Sequence, residues 1–255
     1  MDEQAPAGGG GSARPWRALF EGMADVLFPP NCVGCEGLVE ADSSFHTLCR
    51  QCARRLVLVR PPNCATCGYP FFGAMAESGE CPHCAELRPV FGEGRTVTLL
   101  HGPMRAVVHA LKYRGATWVL RDIRRIVAAS PHLPGFLRGA TLVPVPLHPR
   151  KRRERGYNQA ELIARIFTEV APVKEVAPIL SRVVDTPTQT RLDRRGRQAN
   201  LKNAFALAAG AQVVSDDRYV LVDDVFTTGS TLNACARVLR QAGVRQIDVA
   251  TLGHG

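Results

Sequence analysis

Residues 219–231 read Tyr-Val-Leu-Val-Asp-Asp-Val-Phe-Thr-Thr-Gly-Ser-Thr. An apolar run leads into two adjacent carboxylates, Asp223 and Asp224, and then into a loop of hydroxyls and one glycine. Helix-forming residues follow from Leu232 to Ala242, closed by Gly243. Small residues feeding a helix start offer backbone N–H groups, hydroxyls and a positive dipole end to a phosphate. The carboxylates would repel that phosphate, so they must face ribose-type hydroxyls, a metal ion or both. Phosphate at one end and a diol at the other describes a sugar phosphate.

A second chemistry lies in the cysteines. Eight of the nine fall in four Cys-x-x-Cys pairs: Cys32/Cys35, Cys49/Cys52, Cys64/Cys67 and Cys81/Cys84. Thirteen residues separate the first two pairs and thirteen the last two, and the halves are offset by 32 residues, which marks an internal duplication. Two such pairs complete a closed four-sulfur site, so the count predicts two structural Zn²⁺ ions, with iron–sulfur ligation as the rival. The repeat favours pairing within each half; an interleaved pairing satisfies the same count. His46 and His83 are expected to be bystanders, and Cys235 a small buried hydrophobe. Apolar content between the pairs is too thin to fold each half unaided, so metal would supply much of the folding free energy.

The elements that must position these groups follow from periodicity. The run Tyr219–Val222 reads as a buried strand, as do 95–100, 141–145, 176–180, 204–207 and 246–252, with helices over 104–113, 118–129 and about 157–170. Strands alternating with helices predict an α/β parallel sheet flanked by helices. Three segments are expected: a flexible tail at 1–15, a helix and cysteine module at 16–90, and the α/β domain at 91–255. The stripe of Trp16, Leu19, Phe20, Met23, Val26 and Leu27 suits a helix packed on its own protein better than one lying on a membrane surface.

The net charge is +9, and residues 146–202 carry 13 Lys/Arg against 6 Asp/Glu. Charge so concentrated predicts a phosphate-rich or polyanionic ligand. Five cations occupy 150–155, just beyond a strand end, where they would sit at a helix start opening near Gly156. Cations there imply a bound anion, so Arg150, Arg153 and Arg155 are candidates for pyrophosphate or nucleic-acid contact. Arg191 and Arg195, in a polar, cationic stretch, 185–200, that suits a mobile loop, are candidates for the same contact. Lys112, at a helix end beside Tyr113, is a weaker candidate. No apolar run approaches a membrane span, and no secretory signal is evident, so thiols in ligand spacing point to the cytoplasm.

The segment 219–231 resembles the phosphoribosyl pyrophosphate (PRPP) motif of type I phosphoribosyltransferases. That resemblance implies a Rossmann-like sheet, ribose hydroxyls on Asp223 and Asp224, and the 5′-phosphate on Thr227, Thr228, Gly229, Ser230 and Thr231, with Mg²⁺ accompanying PRPP. Purine-salvage members carry an Asp where Thr227 stands, so purine salvage is disfavoured. Further marks are Leu27-Phe-Pro-Pro30, Leu111-Lys-Tyr113, Val143-Pro-Val-Pro-Leu-His-Pro-Arg150, Arg153-Glu-Arg-Gly-Tyr-Asn-Gln159, Asp185-Thr-Pro187 and Asn200-Leu201. With them the chain resembles the ComF family, in which a zinc ribbon precedes a phosphoribosyltransferase-like domain. The resemblance implies a role in natural competence, with single-stranded DNA and competence-machinery proteins as partners. It leaves open whether PRPP is consumed by a transferase, of nucleotide or sugar-acid metabolism, or only regulates a nucleic-acid-binding factor.

Overall fold

Five parallel strands form the main sheet in the order β1-β7-β6-β2-β3. They are β1 (Gly94–Leu99), β2 (Thr141–Pro144), β3 (Glu175–Val176), β6 (Arg218–Phe226) and β7 (Gln246–His254). A short antiparallel pair, β4 (Leu180–Arg182) with β5 (Phe205–Leu207), stands apart from it. The computed structural model describes residues 30–73, 81–84, 87–184 and 203–255. The expected tail, the helix over 16–28 and the stretch 185–200 with Arg191 and Arg195 lie outside them.

The helices are α1 (Arg50–Ala53), α2 (Gly102–Tyr113), α3 (Leu120–Ala128), α4 (Leu133–Leu137), α5 (Pro149–Arg155), α6 (Gln159–Thr168) and α7 (Ser230–Gln241). Alternation along β6 divides its side chains between two cores. Val220 and Val222 join α2, α3, α6 and the cysteines of the first repeat, whereas Tyr219 and Leu221 join α7 and those of the second. Each repeat therefore shares a core with one face of the sheet. Among the described residues no helix is long and apolar enough to cross a membrane.

Three sequence expectations change. The strand expected over 176–180 splits, with β3 ending at Val176 in the main sheet and β4 beginning at Leu180 in the antiparallel pair. β6 does not stop at Val222 but runs through both carboxylates to Phe226, because β7 stays paired with it as far as Phe226 opposite His254. The cations of 150–155 do not crowd a helix start: α5 is a helix of its own, begun by Pro149, with the His148 ring accepting from the Arg150 N–H, and ended by Gly156 at φ 84°. Arg152, Arg153 and Arg155 occupy its last turn, where the dipole favours them. The electrostatic argument that an anion must join them falls away.

From β2 the chain moves outward to β3, and from β6 it moves the opposite way to β7. Open α/β sheets bind ligands in the crevice at such a switch, beyond the strand carboxyl ends. Here that crevice lies between β2 and β6, where the acid pair stands.

Candidate functional site

β2 ends at Pro144 opposite Val222, so Asp223 and Asp224 project just past its end while still held by β7. Both are buried. Successive strand side chains take opposite faces, and their surroundings agree. Asp224 Oδ1 lies 3.0 Å from Lys112 Nζ at the end of α2, and the charge of Asp223 acts on the thiol of Cys235 in α7. Asp223 Oδ1 accepts from the Asp224 N–H at 2.8 Å. The second oxygen of Asp224, Oδ2, is buried with no hydrogen-bond partner.

Burial, and then the neighbouring Asp224 charge, raise the Asp223 carboxyl from 3.8 to about 7; Lys112 only partly offsets them. Burial pulls the Lys112 ammonium down, but the charges of Asp224 and Asp223 outweigh it and leave its pKa above the ordinary lysine value. The sequence offers Lys112 as a dipole partner at a helix end and, more weakly, as a phosphate contact; the structure puts it against the acid pair. The signal available was its place in the last turn of a helix that follows an edge strand.

After Phe226 the loop bends through Thr227–Gly229 into α7. Gly229 is the cap residue, at φ 70°, a conformation that disfavours any side chain. Thr228 Oγ1 and Ser230 Oγ lie 2.8 Å apart, and Thr228 Oγ1 accepts from the Ser230 N–H at 3.4 Å. First-turn N–H groups have no intrahelical acceptor, so α7 presents donors and a dipole to an anion at the loop. Burial holds the Cys235 thiol well above its ordinary value, as suits a packed residue rather than a nucleophile.

The basic candidates are distributed differently. Arg150 pairs with Glu154 at 2.9 Å, and Arg155 donates to Gln159 Oε1 and lies 5.8 Å from the centre of the Tyr113 ring. Arg153 is exposed on α5. No described contact ties these three residues to the acid pair.

The cysteines gather within each repeat. Cys32, Cys35, Cys49 and Cys52 form one tetrad and Cys64, Cys67, Cys81 and Cys84 the other, with the Sγ atoms of each tetrad within 4.8 Å of one another. The interleaved pairing does not occur. A tetrahedron of Zn–S bonds near 2.3 Å has sulfur–sulfur edges of about 3.8 Å. Cys35 and Cys49 are 3.7 Å apart, Cys67 and Cys81 3.7 Å, and Cys64 and Cys84 3.9 Å. The donor sets therefore fit two structural zinc ions. The duplication extends to the backbone: bridges Asn31–Leu38 and Asn63–Pro70, and bonds from the Cys32 N–H to Gly37 O and from the Cys64 N–H to Tyr69 O, all repeat at the 32-residue offset.

A double zinc ribbon domain family matches residues 23–85, and a phosphoribosyl transferase domain family matches 172–253. DNA utilization protein YhgH of Salmonella typhimurium is 31% identical over 81% of this chain and 89% of its own. The chain belongs to the ComF family. Competence protein F of Haemophilus influenzae is 29% identical over 88% of this chain and 96% of its own. For Competence protein ComFC of Bacillus subtilis the figures are 22%, 83% and 89%. A purine phosphoribosyltransferase from Pyrococcus horikoshii overlays with a TM-score of only 0.29 at 16% identity, covering 54% of this chain and 74% of that one. In this ComF chain, then, a zinc-ribbon pair and a phosphoribosyltransferase-like sheet share two hydrophobic cores.

Proposed function

We propose that the protein binds PRPP with Mg²⁺ at the end of β6 and serves DNA uptake in natural competence. The observation that carries the ligand is the acid pair with an unpartnered buried oxygen on Asp224, one bend away from the start of α7. An orphaned buried carboxylate oxygen costs stability unless something else binds there. Asp223 and Asp224 would hold the ribose hydroxyls and the metal, and Thr227–Thr231 the 5′-phosphate. When bound, Mg²⁺ supplies charge neutralisation for the pyrophosphate. The chain's own share is positioning: it orients the ribose at the carboxyl end of β6 and aims a helix dipole at the phosphate. Transfer of the phosphoribosyl group to a nitrogen acceptor is the reaction this arrangement suits. Relatives named for competence and DNA utilization support the cellular role, and eight thiols in ligand spacing suit the reducing cytoplasm.

A second reading, in which PRPP regulates a nucleic-acid-handling protein, is favoured by one feature. Tyr113 and Trp118 are 62% and 53% exposed, and Arg155 of the cationic α5 stacks over Tyr113. An exposed ring beside a cation, as at Tyr113, is what an unpaired base stacks on.

PRPP with Mg²⁺ should raise the melting temperature of the wild-type protein, and Asp224→Asn should abolish the rise. Absence of any shift in the wild type would sink the ligand assignment. Pyrophosphate release from PRPP, assayed over a panel of bases with and without single-stranded DNA, separates the readings. Release dependent on one base favours the transferase; silence with salt-sensitive DNA binding favours the regulated factor.

A further inference from the structure

We propose that the second cysteine tetrad is a structural part of the phosphate loop, with Asn233 as the residue that couples them, while the first tetrad has no such role. The proposal rests on the sugar-phosphate reading of the loop.

The chain leaving the second tetrad lies along the start of α7. Asn233 is buried, and both ends of its amide bind that chain. Its Oδ1 accepts from the Val90 N–H at 2.9 Å, and its Nδ2 donates to Arg88 O at 3.1 Å. The N–H of Asn233 also donates to Gly229 O at 2.8 Å, closing the first turn after the loop. Further along α7, Arg240 donates to Val90 O at 3.0 Å. At Gly229 a Cβ would come within 2.8 Å of Leu87 Cδ2 and 2.7 Å of Phe226 Cζ, so Leu87 closes directly over the middle of the loop.

The strand side of the loop is bracketed as well. Phe226, the residue before Thr227, stacks on His254 with ring centres 5.0 Å apart. His254 in turn meets Tyr69 at 5.0 Å and His83 at 4.9 Å, both from the second ribbon. The ribbon itself is bonded to β1 through the Gly94 N–H to Ala65 O and through Thr96 Oγ1 to Cys67 O. The residue before the loop, its central glycine and the first helical turn thus all lean on the second repeat. The first repeat docks elsewhere: Asp122 of α3 accepts from the N–H groups of His46 and Thr47 and from Thr47 Oγ1.

A loop that binds phosphate through backbone N–H groups works best if those groups already converge, since ordering residues at the moment of binding costs conformational entropy. Because metal supplies much of a ribbon's folding free energy, loss of the second metal should release Leu87–Val90 and slacken the loop.

The test compares Asn233→Ala, Cys81→Ser and, as the control on the first ribbon, Asp122→Asn. Each variant is assayed for zinc content, for calorimetric binding of PRPP with Mg²⁺, and for amide exchange over 228–233. Asn233→Ala should keep two zinc ions, bind PRPP about tenfold or more weakly and exchange faster over 228–232. Cys81→Ser should lose one zinc and show the same loosening, and Asp122→Asn should leave loop exchange and PRPP binding as in the wild type. If Cys81→Ser does not fold, Asn233→Ala decides alone. Wild-type exchange rates in Asn233→Ala, or equal loosening in Asp122→Asn, would overturn the coupling. A wild-type protein that binds no PRPP would overturn the ligand reading instead, and the exchange data would still judge the coupling.

Discussion

Asp223→Asn isolates the electrostatic cost of the site. The folded carboxyl titrates at about 7 against an ordinary 3.8, burial being the larger cause. Between those values the folded chain holds a proton that the unfolded chain has released. Stability contributed by this residue therefore falls as pH rises through that window and levels off above about 7. Each pH unit crossed is worth about 1.4 kcal/mol, so the full fall is about 4 kcal/mol as an upper limit. Asparagine cannot ionise, yet its side-chain oxygen can still accept from the Asp224 N–H. The variant should match the wild type near pH 4 and exceed it by about 2–4 kcal/mol at pH 8. Urea unfolding at pH 4, 6 and 8, with equal m-values, reads this directly. A gap that stays constant across the three pH values would show that Asp223 is not the titrating group and would refute the reasoning.

The same carboxyl should make Mg²⁺-dependent PRPP binding weaken as pH falls below about 7, because the metal must compete with a proton; calorimetry at pH 6 and 8 checks this. Lys112→Met leaves Asp224 buried without its ion pair and should cost about 2 kcal/mol at pH 8, with part of the loss recovered in the Lys112→Met/Asp224→Asn double variant. Asp122→Asn cannot accept at both oxygens, so undocking the first ribbon should cost about 2–3 kcal/mol and raise amide exchange at Thr47. Metal analysis of the purified protein should return about two zinc per chain.

The cysteine spacing made both tetrads readable, because a 32-residue repeat survives any rotation of the modules. Tyr219 to Val222 announced a buried strand for the same local reason. What periodicity does not carry is the partner of an element. β6 extends past its apolar run only because β7, 28 residues later in register, keeps bonding to it. Lys112 reaches Asp224 across 112 positions, and Asn233 is the one amide on a buried face of α7 that is otherwise mostly apolar, a hint that becomes legible only when Val90 is beside it. The cations of 150–155 misled for a different reason: the start of α5 was hidden behind Pro149, which suits a first helical turn as well as a bend.

The place of β7 bears on how the chain is made. The latest strand in sequence sits inside the sheet, with β1 on one side and β6 on the other. Until it leaves the ribosome, β1 and β6 have bare facing edges, with Leu99 and Arg218 119 positions apart along the nascent polypeptide. The ribbons can take up metal long before that point, but the sheet they lean on cannot close. Synthesis should therefore pass through a stage with preformed metal knuckles and an open sheet, the kind of intermediate that attracts chaperones.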